Sequence, residues 1–173
     1  MSAEELRAKI REVPDFPKPG ILFYDITTLL KDAAAYKEAI DLMLEPFASD
    51  RIDIVVGMES RGFIFSAPMA YQLNAGLVPV RKLGKLPAET ITVEYALEYG
   101  SNTLEIHRDA IAPGQRVLIV DDLLATGGTV QGTIELVERL KGEVVGLGFL
   151  VELDFLKGRD RLDGRRVTSV IKY

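Results

Sequence analysis

The strongest constraint on the fold is the stretch from Val117 to Thr129. It begins with four apolar residues, continues through Asp121 and Asp122, and ends in a turn that contains Gly127 and Gly128. An unbroken apolar run is typical of a strand that is buried on both faces, as in a parallel sheet. The residues after the turn have helical periodicity, so the stretch predicts a strand, a turn and a helix of an α/β fold.

The same stretch predicts a binding site for a sugar phosphate. Open α/β sheets bind ligands at the carboxyl ends of their strands, which is where we expect Asp121 and Asp122. Gly127 and Gly128 allow positive φ, so backbone N–H groups and the helix N-terminus can surround an anion, while Thr126 adds a hydroxyl. Glycine turns also occur in α/β proteins that bind no phosphate. Two adjacent acids at a strand end, however, need an open cleft or a partner.

Several other classes of protein are excluded or disfavoured. No Lys follows Gly128 as in the G-x-x-x-x-G-K-[ST] loop, and the G-x-G-x-x-G fingerprint is absent. The chain has no Cys and a single His, which excludes disulfides and argues against Cys or His metal sites. The net charge of −5 argues against a nucleic-acid partner. Because we find no signal-peptide pattern and no membrane-length apolar run, we expect a cytoplasmic protein with no membrane partner.

Hydrophobic periodicity along the 173 residues predicts one α/β domain, with a central, mostly parallel sheet flanked by helices. The core strands are predicted at 52–56, 77–80, 117–120, 144–153 and 167–171, and the helices at 2–12, 33–48, 63–73 and 129–141. Residues 86–111 alternate β-type residues with turns, which predicts a β excursion from the sheet and a candidate lid over the cleft.

Other charged residues follow predicted strands or lie in the candidate lid. Arg61 follows the first core strand and suits a phosphate or pyrophosphate. Arg81, Lys82 and Lys85 follow the next strand, where they form either a solvated loop or a contact to a polyphosphate, in this subunit or a neighbour. Glu98 lies in the candidate lid, where a carboxylate that closes over a cleft can act as acid or base.

The strand, the two acids and the turn resemble the phosphoribosyl diphosphate (PRPP) motif of the type I phosphoribosyltransferases. Segments 15–20, 59–63, 81–87, 97–100 and 151–153 are similar to the adenine-specific members of that family. The resemblance implies the single-domain type I fold over residues 1–173, with an N-terminal hood over about 1–32 and a flexible β lid over about 84–108. It also implies a homodimer that converts PRPP and adenine to AMP and pyrophosphate.

The resemblance further implies roles for the residues of the PRPP site. Asp121 and Asp122 would engage the ribose hydroxyls and organise Mg²⁺, which PRPP carries and which is held mostly through water, with no direct protein ligand. Arg61 would bind pyrophosphate as a catalytic group, with Arg81 and Lys85 assisting. The 5′-phosphate would be held by Ala125, Thr126, Gly127, Gly128 and Thr129.

The resemblance also implies a pocket for the base. On its sequence alone Phe23 is more readily interpreted as a core residue, but the resemblance implies that its ring stacks on adenine. Leu22 and Leu153 would line the same pocket, and Glu98 would act as acid or base near the purine N7. Tyr24 stands where many relatives have Arg, which leaves the role of this position open.

Two alternative functions remain at this point. A PRPP-sensing regulator without catalysis would keep the motif, although such proteins usually add a DNA-binding segment and a basic face. A phosphoribosyltransferase for another purine would call for a Lys or similar donor near the base, and residues 151–154 provide none. The sequence also does not decide which of Arg81, Lys82 and Lys85 reaches the site of a neighbouring subunit.

Overall fold

The computed structural model describes residues 1–96 and 100–173. In chain order its strands are β1 (Arg11–Pro14), β2 (Leu22–Asp25), β3 (Ile54–Met58), β4 (Gly76–Lys82), β5 (Thr90–Ala96), β6 (Ser101–His107), β7 (Arg116–Leu124), β8 (Glu143–Glu152) and β9 (Val167–Lys172). Its helices are α1 (Ala3–Arg7), α2 (Thr27–Leu30), α3 (Ala33–Leu44), α4 (Gly62–Leu73) and α5 (Gly128–Arg139).

Seven of these strands form one sheet in the order β5-β6-β4-β3-β7-β8-β9, and β1 pairs with β2 in a separate hairpin. Strands β4, β3, β7, β8 and β9 pair with one another in parallel, whereas β6 runs antiparallel to both β4 and β5. The predicted α/β fold with a mostly parallel central sheet is therefore confirmed.

Strand β7 lies in the interior of the sheet and is buried on both faces, as its apolar run predicts. Leu118 and Val120 pack into a core with α3 and α4, while Val117 and Ile119 pack into a second core with α5. All four side chains have zero exposure. Because burying one such side chain is worth about 1.5–3 kcal/mol, the strand that carries the acids is firmly anchored.

The predicted helix over residues 2–12 is wrong in its second half. Helix α1 ends at Arg7, and the chain then enters β1, which pairs antiparallel with β2. The Arg11 guanidinium also contacts Asp25 of β2, with Nη2 2.5 Å from Oδ2. Tertiary pairing with a distant segment therefore overrides the helical periodicity, although Leu6 and Ile10 are buried as the helical pattern predicts.

Two other predicted boundaries also shift. Helix α3 ends at Leu44, and a 3₁₀ turn over Glu45–Phe47 follows, because Pro46 cannot continue the helical hydrogen-bond ladder. Strand β7 continues past the predicted end at residue 120 to Leu124, which pairs with Glu152 of β8. The two acids of the motif therefore belong to the strand itself.

The segment predicted as a β excursion contains β5 and β6, an antiparallel pair in which Tyr95 lies opposite Asn102. Residues 97–99, which include the candidate Glu98, lie outside the described residues. Elsewhere in the chain, none of the helices has both the length and the apolar character to span a bilayer.

Candidate active site

A polar cavity of about 450 Å³ opens at the carboxyl ends of β3 and β7. Its walls come from the loop after β3, the end of β4, the strands β5 and β6 of the candidate lid, and the turn between β7 and α5. The lining residues are Met58, Glu59, Ser60, Arg61, Lys82, Tyr95, Asn102, Leu104 and the run 121–130. The cavity therefore brings together the predicted PRPP motif and Arg61, which lie 60 residues apart in the chain.

The turn between β7 and α5 has the geometry of an anion cradle. Gly127 has φ of +88° and precedes α5, and its carbonyl accepts the first α-helical hydrogen bond, from Gln131 N at 3.0 Å. The N–H groups of Gly128, Thr129 and Val130 precede that bond, so they are the free donors of the helix N-terminus. Together with the helix dipole they favour a bound anion, as the motif predicts.

The two acids of the motif have different surroundings. Asp122 is 6% exposed and is paired with Arg61, whose Nε lies 2.7 Å from Asp122 Oδ2. Asp121 Oδ1 accepts a hydrogen bond of 2.8 Å from the backbone N–H of Asp122. Desolvation, followed by the negative charge of Asp122, raises the pKa of Asp121 well above its usual value. The site thus holds Asp121 in an environment that opposes its charge.

Replacing Asp121 with Asn is expected to stabilise the unliganded protein increasingly as pH rises. The folded state binds the Asp121 proton more tightly than the unfolded state. The contribution of this carboxyl to the free energy of unfolding therefore falls as pH rises from its unfolded pKa, about 3.9, to its raised folded pKa. Urea unfolding of both proteins between pH 4 and pH 8 measures the effect. A difference in unfolding free energy that does not grow with pH would contradict the raised pKa.

A second, apolar cavity of about 150 Å³ adjoins the first. Leu22 and Phe23 of β2 line one side of it, and Leu153 lines another. Arg61 lies at the junction, because its guanidinium pairs with Asp122 and stands 5.5 Å from the Phe23 ring centroid. The two cavities share Arg61, Asp122 and Leu123 in their linings. The structure thus places the three predicted base-binding residues beside the polar cavity.

Tyr24, a position whose role the sequence left open, packs against the end of the chain. Its ring lies 4.0 Å from that of Tyr173, centroid to centroid, and the Arg7 guanidinium lies 4.2 Å from the Tyr173 ring. Desolvation raises the pKa of Tyr24. These contacts join β2 and α1 to the end of β9, beside the apolar cavity that Tyr24 also lines.

The three cations predicted to follow this strand have different positions: Arg81 and Lys82 are the last residues of β4, and Lys85 lies in the loop after it. Of these residues Lys82 lines the polar cavity, while Arg81 and Lys85 are absent from its described lining. Arg81 Nε lies 3.5 Å from a carboxylate oxygen of Glu59. The Lys85 backbone N–H donates to Glu105 at 3.1 Å. The substrate contacts predicted for Arg81 and Lys85 therefore remain predictions.

Glu59, Ser60, Tyr95 and Asn102 are polar residues of the cavity lining for which the sequence predicted no role. Glu59 and Ser60 directly precede Arg61, and their place in the same loop was a signal that could have found them. Tyr95 and Asn102 meet only through the register of β5 and β6, which the sequence did not reveal. Glu98, the predicted acid or base, lies outside the described residues.

Comparison with known proteins identifies a matching family and similar full-length proteins. The family model described as phosphoribosyl transferase domain matches residues 25–171. An adenine phosphoribosyltransferase of Acidobacterium capsulatum is 60% identical over 173 residues, which cover all of this chain and 96% of that protein. One from Chloroflexus aurantiacus is 57% identical over the full length of both chains.

Solved structures agree with the sequence comparisons. The crystal structure of adenine phosphoribosyltransferase from Thermoanaerobacter pseudethanolicus has a TM-score of 0.96 and 54% identity, covering 99% of this chain and 100% of that one. The Saccharomyces cerevisiae enzyme, solved as a complex with adenine and an imino-altritol bisphosphate, has a TM-score of 0.91 and 42% identity, with 97% of each chain covered. The likeness therefore extends over both cavities.

Proposed function

The chain belongs to the phosphoribosyltransferase family, and we propose how its residues carry out the adenine-specific reaction of that family. That reaction transfers the phosphoribosyl group of PRPP to adenine and yields AMP and pyrophosphate, a pentosyl transfer of purine salvage. The observation that carries the proposal is the pair of adjoining cavities, one polar with an anion cradle and one apolar, which meet at Arg61.

The polar cavity holds PRPP in this proposal. The free N–H groups after Gly127 and the hydroxyls of Thr126 and Thr129 bind the 5′-phosphate, since a helix N-terminus favours an anion. Asp121 and Asp122 accept hydrogen bonds from the ribose hydroxyls. Desolvation and Asp122 raise the pKa of Asp121 in the unliganded protein, and a nearby cation bound with PRPP would favour its charged form again.

Mg²⁺ enters this proposal with PRPP. The residues fit it without ligating it directly, because Mg²⁺ prefers oxygen ligands and usually keeps several waters, through which nearby carboxylates can hold it while PRPP supplies phosphate oxygens. Asp121 and Asp122 supply carboxylates within the polar cavity. The ion would neutralise charge on the departing pyrophosphate.

Arg61 stabilises the leaving group in this mechanism. Cleavage of the bond to the anomeric carbon passes through an oxocarbenium-like state, in which the pyrophosphate oxygens gain negative charge. The Arg61 side chain is 44% exposed and lines the polar cavity, so it can exchange Asp122 for a pyrophosphate oxygen. A guanidinium that meets charge as it develops lowers the barrier more than it strengthens ground-state binding.

The apolar cavity holds adenine between Phe23 and aliphatic side chains. Stacking of a base on an aromatic ring is worth about 1–3 kcal/mol, and the cavity volume of about 150 Å³ suits one flat ring system. Leu22 and Leu153 line its other walls. Glu98 acts on the base as acid or base near N7, a role that rests on the family resemblance.

The lid and the assembly complete the proposal. Closure of the β5–β6 segment over the cleft would exclude water and so prevent hydrolysis of PRPP. A homodimer is supported by exposed apolar side chains on α4 and around β4, where Tyr71 is 88%, Leu77 45% and Leu83 61% exposed. In such a dimer Arg81 and Lys85 are candidates to assist at the neighbouring site. Because its phosphorylated substrate is made inside cells, the protein is expected in the cytoplasm.

Incubation with PRPP, Mg²⁺ and each nucleobase in turn tests this function. We expect AMP and pyrophosphate with adenine, and at least a 100-fold lower rate with hypoxanthine or guanine, because an apolar pocket leaves their exocyclic oxygen without a donor. Chromatography of the products measures both. Product from another purine at a similar rate would contradict the adenine assignment, and binding of PRPP without any product would favour a regulator.

A further inference from the structure

An ion pair between the partly exposed Arg159 and the buried carboxylate of Glu152 lies behind the phosphate-binding turn, outside both cavities. Glu152, the last residue of β8, is 2% exposed. Arg159 donates two hydrogen bonds to its carboxylate, of 3.0 Å from Nε and 2.6 Å from Nη2. Ser169 also donates to this carboxylate, and these partners, Arg159 first, lower the pKa of Glu152. The contact is therefore charge-assisted and directional, and its carboxylate is removed from water while the Arg159 side chain stays 39% exposed.

The residue before Arg159 touches the phosphate-binding turn directly. A methyl group placed on Gly158 would lie 2.3 Å from the carbonyl oxygen of Ala125 and 3.1 Å from the N atom of Gly127. Conversely, a methyl group on Gly127 would lie 2.8 Å from the carbonyl oxygen of Gly158. The two backbones are in contact with no side chain between them. The position of Gly158 therefore limits where the turn can lie.

The ion pair fixes Gly158 relative to the sheet. On one side, Glu152 lies opposite Leu124, the residue just before the turn, and Leu153 N donates to Leu124 O at 2.9 Å. On the other side, Arg159 Nη1 donates to Val167 O of β9 at 2.9 Å. Arg159 thus joins the segment that supports the turn to two strands of the central sheet.

We infer that the Arg159–Glu152 pair positions the 5′-phosphate site. The pair does so by holding the Gly158 backbone in contact with the turn from Ala125 to Gly127. Neither side chain lines the polar cavity. The pair sets the geometry of the N–H donors, and a bidentate charged contact is suited to this because it fixes direction as well as distance. This inference rests on the proposed function, since it assumes that the turn binds the 5′-phosphate.

Replacing Arg159 with Gln tests the inference, with AMP and adenosine as the two probes. The dissociation constant of AMP is expected to rise about tenfold, a loss of about 1.4 kcal/mol, while that of adenosine stays within twofold. Adenosine has the same base and ribose but no phosphate, so general loosening of the fold would weaken both ligands. Isothermal titration calorimetry on the full chain measures both constants.

Two further variants and one control complete the experiment. Gly158→Ala should weaken AMP selectively as well, because its methyl group meets Ala125, while Arg159→Lys should give a smaller loss, since it keeps the charge but not the fork. Arg165→Gln is the control, because Arg165 pairs with Glu138 at 2.8 Å on the surface of the same segment. Its AMP binding should equal that of the wild type.

The outcomes separate the inference from the proposed function. If the wild type binds AMP and the Arg159→Gln variant binds it equally well, the positioning role is refuted. Equal weakening of AMP and adenosine would also refute it, since that result indicates a structural role only. If the wild type does not bind AMP, the proposed function itself fails.

Discussion

Replacement of Arg61 with Gln is expected to lower kcat/KM for PRPP about 100- to 1,000-fold, the loss typical when a donor to developing charge is removed. Arg61 is the one cation common to the linings described for both cavities, since it contacts Asp122 in one and faces Phe23 in the other. Gln keeps a polar side chain, but it is shorter and has neither the charge nor the fork that suits pyrophosphate. Steady-state assays of AMP formation measure the change.

The pattern of the loss matters as much as its size. Because Arg61 acts on charge that develops during cleavage, kcat should fall more than the affinity for PRPP. Arg51→Gln is the matched control, since Arg51 is an exposed residue whose Nη2 lies 3.4 Å from Asp53. Normal kcat with only a raised KM in the Arg61 variant would show that Arg61 binds the substrate without stabilising its leaving group.

Loss of Arg61 also leaves a buried acid without its partner, which could lower activity through instability. Asp122 is 6% exposed, and removing one member of such a pair is strongly destabilising. The double variant with Asp122→Asn removes that charge. We expect it to be more stable than Arg61→Gln alone in urea unfolding, yet no more active. Recovered activity would mean that the single variant failed by misfolding.

The central part of the fold was predictable because its signals are local. The apolar run of β7 and the helical pattern of α5 are encoded within about 25 consecutive residues, and burial on both faces follows from the run itself. The geometry of the turn was predictable for the same reason, since Gly127 carries the positive φ that its position demands. The backbone of Gly128, in contrast, simply begins α5.

The remaining features depend on contacts between distant segments. Strand β1 forms because β2 lies beside it, which periodicity over residues 2–12 could not reveal. The sequence around Arg159 predicts only a polar loop. The pairing of β8 with β9 places Glu152 where it contacts Arg159, which the sequence does not reveal. Arg61 was predictable only in part. Its place after a strand end marked it as a candidate ligand-binding residue, but its contact with Phe23 depends on where the N-terminal hairpin packs.

Replacing Gly127 with Ala is expected to weaken AMP binding about 100-fold, which corresponds to about 2.7 kcal/mol. Two effects act together at this position. Its φ of +88° is unfavourable for Ala, at a cost of about 1–2 kcal/mol. In addition, the new methyl group would lie 2.8 Å from the carbonyl oxygen of Gly158, so the turn must move and its N–H donors lose their alignment. Titration with AMP measures the loss.

Gly114→Ala separates these two effects. Gly114 has φ of +84°, nearly that of Gly127, but no atom lies within 4 Å of the position its methyl group would take. Both variants should therefore lose a similar amount of stability from backbone strain, while only Gly127→Ala should lose AMP affinity. Thermal unfolding checks the first expectation and calorimetry the second. Because strain is common to both proteins, equal AMP affinities would show that close packing against Gly158 does not control the phosphate site.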